Sequence, residues 1–124
     1  MPSLIIEPTK TTPAVHFATD TKTFHIKGNS TPIDALAFYN RLADWLVENK
    51  SDLAPDSEFR FSLPYFNSAS NKGIYLLLKQ IVELDQTPSQ FKLYWTAPKD
   101  DEFMTEAAET MQELLDCELM LVDE

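Results

Sequence analysis

The stretch Tyr65-Phe66-Asn67-Ser68-Ala69-Ser70-Asn71-Lys72-Gly73 carries the most suggestive chemistry in the chain. It joins a strand-like apolar segment to a helix-like apolar segment, so Ser68 and Ser70 fall where a helix leaves its first backbone N–H groups unpaired. Two chemistries suit a hydroxyl at that place. One serine can serve as a plain helix cap. Alternatively, one can accept a phosphoryl group, whose charge would lie at the positive end of the helix dipole. Such a modification adds about −1.5 to −2 charges. It would alter what the surface can dock without requiring the fold to break.

The other reactive residue types form no complete constellation. His16 and His25 are the only histidines. A hairpin closed at Asp20-Thr21 would set them opposite each other, but no carboxylate or cysteine is spaced to complete a metal site around them. They read as partly exposed strand histidines. Cys117 has no basic activator beside it and reads as a small packed side chain. Asp100-Asp101 and Asp123-Glu124 read as a solvated helix start and a tail, with Asp101-Glu102 suited to a helix N-terminus. With two glycines in the chain, no glycine-rich phosphate loop can form, so no nucleotide cofactor is expected.

The elements that must position these residues follow from hydrophobic periodicity. Val15 and Phe17, then Phe24 and Ile26, alternate as in two half-buried strands, and the link Asp20-Thr21-Lys22 suggests a hairpin. Leu4-Ile5-Ile6 reads as a short edge strand or an ordered arm. A helix is expected over 32–49, capped by Thr31 with Pro32 in its first position and Asp34 in its third, burying Ala35, Tyr39, Leu42 and Leu46. A strand is expected over 58–66, interrupted by Pro64. A heavily buried helix over 68–85 and a turn over 86–89 come next. An aromatic strand over 91–95 ends before Pro98. A third helix over 102–116 carries Met104, Ala107, Ala108, Met111, Leu114 and Leu115 on its apolar stripe, and a last strand covers 118–122. Strands alternating with helices imply parallel pairing by right-handed crossovers. The expected architecture is therefore an α/β domain spanning 1–124, with a mixed four- to five-stranded sheet, an N-terminal hairpin and three helices.

Composition narrows the function classes. The chain has 124 residues, 44% of them hydrophobic, and a net charge of −10. That charge argues against a nucleic-acid or anionic-membrane surface, since both need a basic patch. No apolar run approaches a membrane span. The first ten residues lack a basic n-region and a long apolar h-region, so a secretory signal is not expected. A lone cysteine makes no internal disulfide. A cytoplasmic location is expected, and the sequons at Asn29 and Asn49 read as chance matches.

The whole chain resembles the SiaC family of small bacterial regulatory phosphoproteins. The resemblance is carried by Thr12-Pro13-Ala14, by Gly28-Asn29-Ser30-Thr31-Pro32, by Tyr65-Phe66-Asn67-Ser68-Ala69-Ser70 and by Trp95. It implies a fold similar to anti-sigma-factor antagonists of the STAS class. It also implies a switch in which a serine/threonine protein kinase modifies the hydroxyl residue after the asparagine and a PP2C-type phosphatase reverses the modification. The unmodified form would bind and activate a diguanylate cyclase, linking it to cyclic-di-GMP and biofilm regulation. By position the acceptor is Ser68, with Ser70 as rival. The expected partner-binding residues are Tyr65, Phe66, Asn67, Ser68 and Ser70. Two departures stand out. Ser68 and Ala69 replace the family's threonine and serine, and Thr96-Ala97-Pro98-Lys99-Asp100-Asp101 replaces its acidic, tyrosine-containing stretch. The alternatives are a STAS-like antagonist that captures a GHKL-type anti-sigma kinase, or a small enzyme, for which no nucleophile–base pair is visible.

Overall fold

The structure is a computed structural model and describes residues 3–85, 90–97 and 100–123. Its strands are β1 (Ser3–Ile6), β2 (Ala14–Ala18), β3 (Thr23–Lys27), β4 (Glu58–Ser62), β5 (Lys92–Ala97) and β6 (Met120–Asp123). Its helices are α1 (Ala35–Glu48), α2 (Ser68–Leu84) and α3 (Glu102–Leu115), with a short 3-10 turn at Lys50–Asp52. The expected turn over 86–89, Pro98 and Glu124 lie outside the described residues.

One six-stranded sheet runs in chain order, β1 to β6. It has one strand more than the upper count expected. The additional strand is β1, where Leu4-Ile5-Ile6 pairs antiparallel with β2 and turns Leu4 and Ile6 toward Phe17 and Val15. The β2–β3 hairpin is antiparallel and pairs His16 with His25, and β3 to β6 are all parallel. Each parallel step moves one strand further across the sheet through a right-handed crossover, so α1, α2 and α3 lie on the same face. Between that face and the helices sits one core, with Phe24 stacked on Phe59 at 4.6 Å and Phe61 against Trp95 at 6.0 Å.

The first helix buries the expected stripe of Ala35, Tyr39, Leu42 and Leu46. It starts later than the capping pattern suggests. Thr31 N–H donates to the Thr11 carbonyl at 2.7 Å, and the cap is Asp34, whose side chain accepts from the Ala37 N–H at 3.0 Å. The strand expected over 58–66 stops at Ser62, before Pro64, and Phe66 makes only an isolated bridge to Ser30. As expected, Asp101 starts the third helix, accepting from Met104 N–H at 3.1 Å. Its buried stripe is narrower than expected. Met104, Ala108 and Met111 are buried and Ala107 is half-buried, but Leu114 is 65% exposed. This helix flanks the β5–β6 end of the sheet, and among the described residues no further helix covers its outer side.

Candidate functional site

Asn67, not a serine, caps α2. Its side-chain oxygen accepts from the Ser70 N–H at 2.9 Å, and its carbonyl accepts from Asn71 N–H at 3.0 Å. This separates the two serines. Ser68 is the first helical residue and is exposed, whereas Ser70 is fully buried. The amides of Ser68 and Ala69 have no carbonyl partner among the described residues, which is the ordinary state of a helix start.

The Ser70 hydroxyl is committed. It donates to the Ser30 carbonyl at 2.9 Å and accepts from Ser30 Oγ at 2.9 Å. With its own proton given to Ser70, Ser30 Oγ can receive the proton of Tyr39 Oη, 2.5 Å away. Burial pushes the Tyr39 hydroxyl up to about 12, so it holds its proton across the physiological range. Two backbone bonds lay this turn against the segment before α2. Ser30 N–H donates to the Tyr65 carbonyl at 2.9 Å, and Asn67 N–H donates to the Ser30 carbonyl at 3.2 Å. A buried hydroxyl chain thus ties the start of α2 to α1 and to the turn after β3.

The sequence offered one sign of this hub. Tyr39 sits on the apolar stripe of α1, and a buried tyrosine hydroxyl requires a polar partner. Nothing local pointed to Ser30, which reaches Ser70 across 40 residues of chain.

The expected site residues divide into two groups. Tyr65 is 57% exposed and Ser68 is exposed, so both present side chains to solvent. Phe66 and Ser70 are buried, and Asn67 is half-buried by its capping role. Phe66 wedges between Trp95 and Phe103, with ring centroids 6.0 and 5.9 Å away. Phe103 is itself 61% exposed. It borders a groove of about 360 Å³ between α2 and α3, walled by Asn71, Lys72 and Tyr75 on one side and Glu106 and Leu114 on the other. Lys72 lies one helical turn beyond Ser68 and so shares its side of the helix. The periodicity of α3 hid this groove, because Leu114 fits the core stripe as well as Met111 does.

Among the described residues, no group of three or more His, Cys, Asp and Glu could hold a metal ion. Burial and the neighbouring Asp116 both raise the Cys117 thiol above its usual range, which keeps it protonated and unreactive. No described helix is long and apolar enough to cross a membrane.

The family model described as SiaC family regulatory phosphoprotein matches residues 6–123. Apo-SiaC from Pseudomonas aeruginosa is similar in structure, with a TM-score of 0.80 and 25% identity over 100% of this chain and 99% of that one. A second structure, of SiaC of Pseudomonas aeruginosa, has a TM-score of 0.81 and 24% identity, over 100% of this chain and 98% of that one. A third, of the diguanylate cyclase SiaD in complex with its activator SiaC from the same organism, has a TM-score of 0.84 and 23% identity, over 98% and 99% of the two chains. No curated protein sequence matches the chain. Because that family model covers residues 6–123 of the 124, the chain belongs to the SiaC family of regulatory phosphoproteins.

Proposed function

We propose that residues 1–124 act as one cytoplasmic, non-enzymatic signalling domain whose binding state is switched by a phosphate on Ser68. The carrying observation is the contrast at the start of α2, where the Ser68 hydroxyl is exposed and the Ser70 hydroxyl is buried and doubly bonded. A kinase can reach the first without unfolding anything. The second is reached only by opening the helix start. A phosphate on Ser68 sits within reach of the unpaired first-turn amides and on the same side as Lys72, so the fold can hold its charge.

The unphosphorylated protein binds and activates its effector, a diguanylate cyclase. Support comes from family membership and from the similar SiaC that is crystallised with the cyclase it activates. The contact runs over Tyr65, Ser68 and the adjoining α2–α3 groove, while Phe66, Asn67 and Ser70 hold the backbone that presents them. A dianion at Ser68 would have to be desolvated in that contact, which weakens it. A serine/threonine protein kinase adds the phosphate and a PP2C-type phosphatase removes it.

The test is cyclic-di-GMP synthesis by a purified diguanylate cyclase of the same organism, assayed with the unmodified protein and with the kinase-treated protein. Stimulation by the first and not by the second is expected. Equal stimulation by both, with phosphate mapped to Ser68, would refute the switch.

A further inference from the structure

All three helices cover one face of the sheet, so among the described residues the opposite face carries no helix. Parallel sheets are ordinarily covered on both sides, and β3 to β6 are parallel. The register draws one continuous row across this open face. Ile5 stands beside His16, His16 beside His25, His25 beside Arg60, Arg60 beside Tyr94, and Tyr94 beside Met120. Apolar side chains end the row, Ile5 at 62% exposure and Met120 at 38%.

The charge of this face opposes that of the molecule. The chain has ten Lys and Arg against 20 Asp and Glu. Among the described strand residues, the open face carries Lys27, Arg60 and Lys92 as cations and Glu58 as its acid. Glu58 is already paired, with Arg60 Nη2 donating to it at 2.7 Å. That bond and the Tyr94 ring, whose centroid is 4.2 Å from the guanidinium carbon, fix the Arg60 side chain before any partner arrives. A preordered Arg–Tyr pair loses little freedom on binding and is the composition of interface hot spots.

We infer that the open face is a second docking surface, separate from the Ser68 end, for an acidic amphipathic helix of a partner protein. Six strands about 4.8 Å apart give a row about 24 Å long, the length of about 16 helical residues. Apolar residues at the ends of such a helix would meet Ile5 and Met120, and its carboxylates would meet Lys27, Arg60 and the two histidines. A second copy docked by two-fold symmetry on the same face is disfavoured, because it would set these cations against one another.

The experiment is a titration of the full chain with a synthetic 16-residue acidic amphipathic peptide, followed by amide chemical shifts and by anisotropy of the labelled peptide. Expected are shifts confined to the open-face strands and a Kd that rises with salt. Lys27→Glu with Arg60→Gln should raise that Kd at least tenfold with an unchanged melting curve, and Ser68→Asp should leave it alone. A peptide with lysine in place of glutamate should not bind. Three results would each overturn the assignment: shifts mapping to the α2–α3 groove, a Kd indifferent to the double substitution, or a DNA duplex bound as tightly as the peptide. Sedimentation showing self-association that the double substitution abolishes would assign the face to a second copy instead.

Discussion

Ser70 gives its hydroxyl proton to the backbone carbonyl of Ser30, 40 residues earlier in the chain, at 2.9 Å. The bond closes the turn after β3 onto the first turn of α2. It makes a buried structural pin out of a serine that, by sequence alone, rivals Ser68 as a phosphate acceptor. Two residues of separation at a helix start are enough to turn one hydroxyl inward and leave the other outside.

Opposite responses to the same substitution are expected at these two serines. Ser68→Asp places a carboxylate on an exposed first helical position, where the dipole favours it by about 0.3–1 kcal/mol. Its melting temperature should equal or slightly exceed that of wild type. Ser70→Asp buries a carboxylate among groups that already have partners and should cost several kcal/mol or prevent folding. Circular-dichroism melts of the two variants check this, and a Ser70→Asp protein as stable as wild type would contradict the burial assigned to Ser70.

Ser68→Ala should cost little stability, because the cap is Asn67, and Asn67→Ala should cost about 1 kcal/mol. Denaturant unfolding of the two variants separates them. After kinase treatment, phosphosite mapping should find phosphate on wild type and on Ser70→Ala, and none on Ser68→Ala. Phosphate persisting on Ser68→Ala at Ser70 would move the switch to the buried hydroxyl.

Gly73 tests the seam between α1 and α2. An added Cβ would stand 2.6 Å from Tyr39 Cδ2 and 3.1 Å from its Cγ. The ring cannot yield easily, since its hydroxyl is held by Ser30. Alanine brings a helix-propensity gain of about 1 kcal/mol, but overpacking of this kind costs typically 1–3 kcal/mol. Gly73→Ala should therefore lower the unfolding midpoint, and Gly73→Ala in a Tyr39→Leu background should lower it less than the two single effects combined. A raised midpoint in the single variant would show that the seam can open.

Much of this arrangement was legible in the sequence, and the gaps have identifiable causes. Alternation fixed β2 and β3 and even their register, since His16 does face His25. The stripe of α1 was readable because Ala35, Tyr39, Leu42 and Leu46 are buried by both the sheet and α2, so the pattern has one solution. The stripe of α3 was not. It meets α2 across an open groove lined by Leu114 and Phe103, so both keep helical spacing while remaining in solvent. Caps were misplaced by a few residues for a related reason. Thr31 and Asp34 are both good caps by type, and the backbone turns helical only after Asp34, whose side chain takes the Ala37 amide. At the candidate site, the exposed and buried serines could not be told apart locally, because the distinction depends on Ser30.

His25 gives the pH dependence of the fold. Burial, then the charges of Lys27, Arg60 and His16, lower its pKa below 6.5. Its Nε2 lies 3.1 Å from Ser62 Oγ, so the neutral ring has a partner on the sheet face. In the unfolded chain the ring titrates near its ordinary value of about 6.5. Between that value and the lowered folded one, the unfolded state binds more protons than the folded state. Stability then rises with pH through this window. The contribution of His25 is therefore fully present above about 6.5 and is lost as pH falls through the folded value. Carboxyl groups in model peptides titrate at about 4, so a comparison between about pH 7 and 5.5 bears on His25. His25→Gln removes the titrating group and keeps a polar side chain opposite Ser62. Urea unfolding of both proteins across that range should give a midpoint that declines more shallowly for the variant. Parallel declines would mean that His25 takes up its proton in the folded state as readily as in the unfolded one, and that the cations around it are screened by solvent.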